Sequence, residues 1–67
     1  MSIARVTEIS STSPKSFEDA IASGMERADK TLPNVVSAWV KEQTVMVKNG
    51  KIAHFQVNLM VTFLLDD

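Results

Sequence analysis

Trp39, Gln43, His54, Gln56, Asn58 and Met60 carry the most distinctive chemistry in this chain, and all lie in one stretch of alternating apolar and polar residues. An amide offers donor and acceptor together, an indole offers a stacking surface, and a thioether adds apolar contact. Gathered on one face, such residues suit either a planar heteroaromatic ligand or an interface between subunits. Trp39 beside Met60 reads equally as an anchor against a neighbouring subunit. Gln43 and Gln56 read either as an amide pair between strands or as ligand contacts. His54, the single histidine, reads as solvated on a polar face rather than as a catalyst or metal ligand.

Signals for catalysis are missing. The chain has no glycine-rich phosphate loop, nucleophile elbow or paired-carboxylate arrangement, so no enzyme and no catalytic residue is expected. Glu8, Glu42, Asp66 and Asp67 lack calcium-loop spacing, and a metal site would have to be built across subunits. With no cysteine, disulfides and thiolate metal sites are excluded. Seven basic and eight acidic residues spread along 67 positions leave a net charge of −1, which argues against nucleic acid and anionic membrane as partners. Arg5 and Glu8 occupy the region where a leader would be apolar, and no run approaches ~18 apolar residues. The expectation is a soluble cytoplasmic protein of one domain, residues 1–67, near the lower size at which a lone core suffices.

The elements that position these residues follow from periodicity. Asn49-Gly50 between alternating runs predicts a two-residue hairpin turn joining strands 35–48 and 51–65. That turn sets Lys48 against Lys51, Gln43 against Gln56, Val40 against Leu59 and Trp39 against Met60. Ala53, Phe55, Val57, Leu59, Val61, Phe63 and Leu65 share one parity and form a core face, joined by Val36, Ala38, Val40 and Met46. By the same parity Glu42 falls on that face, opposite Val57. The other face takes Val35, Ser37, Trp39, Lys41, Gln43 and Val45, with the even residues of the last strand from His54 to Leu64.

Phe17, Ala20, Ile21, Gly24, Met25, Ala28 and Leu32 recur at three- and four-residue steps, the stripe of an amphipathic helix over 16–32. Its N-cap is either Ser13, with Pro14 following, or Ser16, with Asp19 at the third position. Gly24 on the buried stripe points to close approach of another backbone. Residues 2–9 predict a strand, and 10–14 a polar loop. A right-handed crossover sets the first strand parallel to the second, with the most apolar strand between them. The fold class is therefore α+β, a β-α-β-β chain with an antiparallel-type sheet of order 1-3-2 partly wrapping one helix. The helix, about 25 Å long, cannot cover strands of about 45 Å, and the apolar hairpin predicts a symmetric homo-oligomer.

Thr12-Ser13-Pro14-Lys15-Ser16-Phe17-Glu18-Asp19-Ala20, Arg27-Ala28, Asn34-Val35-Val36, Ala53-His54-Phe55-Gln56-Val57 and Val61-x-Phe63-x-Leu65-Asp66 resemble the dodecins over essentially the whole chain. The resemblance implies a hollow homododecamer that binds flavins, FMN or riboflavin, in antiparallel pairs stacked between tryptophans. It also implies a storage and photoprotective role, with a glutamine, here Gln56, bonded to the isoalloxazine edge. The family tryptophan falls on Ser37. Trp39, two residues on, is displaced by about 6.6 Å along the strand and stands as a substitute stacking group. Candidate cofactor contacts are thus Gln56, Trp39, Ser37 and Gln43. The run Ala38-x-Val40-x-Glu42-Gln43 is similar to a dodecin branch described as calcium-binding, so the alternative is a structural dodecameric shell associated with calcium.

Overall fold

The computed structural model describes residues 2–65, so Asp66 and Asp67 lie outside the described residues. Element order is β1 (Ala4–Ser13), α1 (Phe17–Thr31), β2 (Val35–Lys48) and β3 (Lys51–Leu64). The sheet has the expected order β1-β3-β2, with β3 antiparallel to both neighbours. β3 is central because it alone buries a continuous alternating row: Val57, Leu59, Val61 and Phe63 are buried on the face that α1 covers.

Local chemistry accounts for the joints. Asn49 (φ 53) and Gly50 (φ 75) adopt the left-handed conformations that a type I′ turn requires. Asn34 (φ 53) makes the other left-handed turn, and its carbonyl accepts the Leu64 N–H at 3.0 Å. Ser16 is the N-cap, accepting the Asp19 N–H at 3.0 Å, while Glu18 and Asp19 meet the positive end of the helix dipole. Ser13, the other cap candidate, has a different task. It is buried, donates to Asp19 Oδ2 at 2.6 Å and accepts the Lys15 N–H at 2.9 Å, which fixes the corner between β1 and α1.

β1 starts later and runs further than the periodicity suggests. Ser10, Ser11, Thr12 and Ser13 pair with Asn58, Val57, Gln56 and Phe55, where a loop is expected. The long β3 offers backbone partners along its whole edge, and ladder bonds override the turn preference of serine.

The hairpin register departs from the sequence expectation at three bulges. From the turn, Lys48 pairs with Lys51 and Val47 with Ile52, but Ala53 is an extra residue and Met46 pairs with His54. Gln43 consequently faces Val57, and Thr44, not Gln43, faces Gln56. Lys41 is the extra residue of the second bulge, which restores Val40 opposite Leu59 and Trp39 opposite Met60. Val36 is the third. Paired residues share a face, so several expectations are corrected. Met46 and Glu42 lie on the outer face, opposite His54 and Asn58, while Gln43 and Val45 lie on the helix face. Val35 packs against the core, and Val36 is exposed. The buried-carboxylate problem at Glu42 thereby disappears, since Glu42 is exposed.

Packing on the helix face joins Ala20, Ala28, Val57, Leu59 and Val61, bordered by Ile9, Phe17, Ile21, Met25, Leu32, Val35 and Ala38. Phe17 meets Phe55 edge to face with ring centroids 5.1 Å apart, which closes the core towards the hairpin. Beyond it residues 41–52 are all exposed, and the chain is 51 Å long against 18 and 14 Å in its other dimensions. As expected from the lengths, one helix does not cover this sheet. No helix among the described residues is long and apolar enough to cross a membrane.

Gly24 sits where α1 comes closest to the sheet. A Cβ there would lie 2.9 Å from Ser11 Cβ and 3.1 Å from Leu59 Cδ1. Alanine would gain about 1 kcal/mol of helix propensity but overpack this contact by about 1–3 kcal/mol. Gly24→Ala is expected to lower the urea midpoint, a net loss near 1 kcal/mol, at fixed protein concentration. Because Ser11 supplies the obstructing Cβ, Ser11→Gly should couple favourably with Gly24→Ala in a double-mutant cycle. A raised midpoint for Gly24→Ala alone would contradict the close approach.

Candidate functional site

The outer face of the sheet, opposite α1, carries the candidate residues. β3 presents His54, Gln56, Asn58, Met60 and Thr62, and β1 presents Val6, Glu8, Ser10 and Thr12 beside them. β2 contributes Ser37 opposite Thr62, Trp39 opposite Met60, Glu42 opposite Asn58 and Thr44 opposite Gln56. Ser37, Trp39 and Gln56 therefore share one face as expected. Gln43 does not, because the bulge at Ala53 carries it to the helix side.

Trp39 is 53% exposed on a half-buried Met60, which leaves an indole face open for stacking. Met60 and Gln56 are four positions apart on β3, about 13 Å at ~3.3 Å per residue. Thr62, across from Ser37, is six positions from Gln56, about 20 Å. The serine and the glutamine of one copy are thus too far apart to hold the same ring. Among the described residues no concave pocket lies on the single chain.

Between Trp39 and Gln56 runs a chain of polar side chains that sequence reasoning did not join. Lys41 Nζ donates to Glu8 Oε1 at 3.2 Å, reaching across β3 from one edge strand to the other. Asn58 Nδ2 donates to Glu8 Oε2 at 3.0 Å, and Gln56 Nε2 donates to Asn58 Oδ1 at 3.3 Å. The bulge that leaves Lys41 unpaired lets its side chain reach the outer face beside Glu42. Glu8, 50 residues from Asn58 in sequence, had only its even position on the first strand to mark it for this face.

Glu8 is held below the usual carboxylate value of 4.5, first by the Asn58 hydrogen bond and then by the Lys41 hydrogen bond, with desolvation opposing them and the Lys41 charge adding least. A lowered folded-state pKa stabilises the fold above the unfolded value, and that contribution is lost as pH falls through the folded value. The window accordingly lies below pH 4.5. Carbon-detected NMR titration of Glu8 should show an inflection below 4.5, and Asn58→Leu and Lys41→Met should each move it back up. An inflection that Asn58→Leu leaves in place would remove the first of the assigned causes.

The dodecin family model matches residues 3–66. Comparison with curated proteins found no match. Among solved structures, dodecin from Streptomyces davaonensis is 41% identical, with TM-score 0.92 over 98% of this chain and 97% of that one. The protein described as tt0972 from Thermus thermophilus is 30% identical, with TM-score 0.91 over 100% and 98% of the two chains. The calcium-chelating immunodominant antigen of Mycobacterium tuberculosis, a calcium dodecin with a calcium-binding site, is 31% identical, with TM-score 0.84 over 97% and 93%. With the β-α-β-β order and the 1-3-2 sheet already in place, the match of nearly the full length means that this chain belongs to the dodecin family.

Proposed function

We propose that this protein binds and sequesters a flavin, FMN or riboflavin, as a homododecamer and without catalysis. The observation that carries the reading is the outer face itself, which presents an exposed indole on a thioether and, about 13 Å along β3, an amide with uncommitted donor and acceptor in a dodecin chain. These groups fit the chemistry of an isoalloxazine, which needs an aromatic surface for its plane and paired hydrogen-bond groups for its edge. Trp39 supplies the stacking surface in place of the tryptophan for which Ser37 stands. Gln56 binds the ring edge, and because Trp39 and Ser37 of the same copy lie about 13 Å and about 20 Å away along the sheet, the site is one shared between copies. Gln43, on the helix face, has no part in this assignment.

Assembly draws on both faces of the hairpin, Trp39 on the outer face and Val45 on the helix face beyond the reach of α1. Trp39, Val45, Val47 and Ile52 are 53%, 38%, 63% and 54% exposed on the single chain, more apolar area than a small solvated hairpin leaves open. A symmetric shell buries this surface and completes open half-sites at once. The flavin, once bound, supplies the light-absorbing ring, and the stacked indole supplies a quenching partner.

A second reading, a calcium-associated shell, draws on the likeness to the Mycobacterium tuberculosis calcium dodecin. Among the described residues no group of three or more His, Cys, Asp or Glu side chains converges, and the Lys41 ammonium stands against Glu8. Such a site would take carboxylates from neighbouring copies.

Riboflavin or FMN should lose its fluorescence on titration with stoichiometric protein, and unquenched flavin at protein well above micromolar would overturn the flavin reading. Trp39→Ala should weaken binding up to about tenfold, the worth of one aromatic stack, whereas Gln43→Ala should leave it within about twofold. Mass in solution tests the shell: a dodecamer is expected, and a monomer or dimer refutes it. Loss of the dodecamer on chelation of calcium would favour the second reading.

A further inference from the structure

The polar chain on the outer face has a direction. An ionised carboxylate only accepts hydrogen bonds. Glu8, bonded through one oxygen to the Lys41 ammonium and through the other to Asn58, therefore requires Asn58 to turn its NH2 group towards it. The carbonyl of Asn58 must then face along β3, and it takes an N–H from Gln56. An amide can flip, exchanging its oxygen and nitrogen at almost no steric cost. Here the flip of Gln56 is set two side chains away by a charge on β1. Its Oε1 and second N–H are left unengaged among the described residues, the acceptor and donor side by side.

We propose that Glu8 and Asn58, with Lys41 anchoring the carboxylate, are positioning residues that lock the Gln56 amide in one flip and so select ligands presenting an adjacent N–H and carbonyl. That pattern is the imide edge of a planar heterocycle. The inference deepens the flavin reading and rests on it for the statement that Gln56 meets the ligand; the lock itself belongs to the free protein. A held amide loses no rotational freedom on binding and presents its acceptor and donor in a fixed order. Replacing Glu8 by glutamine would invert the chain. The new amide gives its oxygen to Lys41 and its NH2 to Asn58, Asn58 turns over, and Gln56 follows.

Other charged groups around Glu8 are few. On β2 these are Lys41, its partner, and Glu42, across from Asn58. The neighbouring β3 residues Met60, Asn58 and Gln56 are uncharged, and His54 is the next titratable group along that strand. Val6 and Ser10 flank Glu8 on its own strand.

Two measurements test the proposal. In the ligand-free protein, proton–nitrogen NMR should show the Gln56 side-chain NH2 signals moving with the titration of Glu8 below pH 4.5. The signals should also move at neutral pH in Glu8→Gln, and the low-pH inflection should persist in Glu42→Gln. Gln56 signals that ignore Glu8→Gln overturn the lock. With ligand, riboflavin and N3-methylriboflavin are titrated by fluorescence, the methyl group removing the imide N–H. The parent should prefer riboflavin by about tenfold, the worth of one well-formed hydrogen bond. In Asn58→Leu that ratio should fall towards one, through loss of riboflavin affinity while the methylated ligand binds within about twofold of before. An equal loss for both ligands would reduce Asn58 to a structural role and overturn the proposal. Binding of neither by the parent overturns the flavin reading and the ligand half of this one, while the spectra of the free protein still decide the amide lock.

Discussion

β3 is hydrogen-bonded along both edges, and its two faces have opposite characters. Its odd residues from Val57 to Phe63 are buried under α1, and its even residues are uncovered. Everything else in the chain answers to that strand. α1 is drawn onto the odd face by Ala20, Gly24 and Ala28, small residues that bring it close enough for Ser11 and Leu59 to touch Gly24. The distance so fixed decides how much sheet one helix can shelter. The shelter ends near Phe17 and Phe55, and the hairpin continues past it with apolar side chains in the open.

Much of this is legible in the amino-acid sequence because its strongest signals are local. Asn49-Gly50 specifies its turn through backbone sterics alone, the parity of β3 marks the core face, and Ser16 with Asp19 marks the helix start. Strand order follows once the central strand is the most apolar. Ser10 to Ser13 mislead because their types favour turns, and only the long partner strand turns them into ladder. Register within the hairpin is legible near the turn and lost from Ala53 to Asn58, since a bulge has no residue signature when any side chain can be the extra one.

The candidate site divides along the same line. Trp39 opposite Met60 survives because two bulges, one on each strand, cancel before that pair is reached. Gln43 lies between the bulges and is displaced to the helix face, whereas Ser37 and Gln56 keep theirs. The bonds of Glu8 to Lys41 and Asn58 span 33 and 50 residues, and neither has a pattern that spacing could reveal.

The bulges at Ala53 and Lys41 thus have effects that belong together. An unbulged hairpin would set Gln43 against Gln56, and two facing amides satisfy each other, leaving little for a ligand. The bulge at Ala53 instead removes Gln43, and the bulge at Lys41 leaves that lysine free to hold Glu8 across the width of the sheet. Gln56 then finds its partner on its own strand, in Asn58, at the cost of one N–H and no more. Its oxygen remains open on a face where Trp39 offers an uncovered ring. One extra residue in the central strand opens the amide pair and one in an edge strand frees the lysine, which leaves Gln56 an oriented, half-satisfied amide on the face that also carries the exposed Trp39, as a binding surface requires and a finished core avoids.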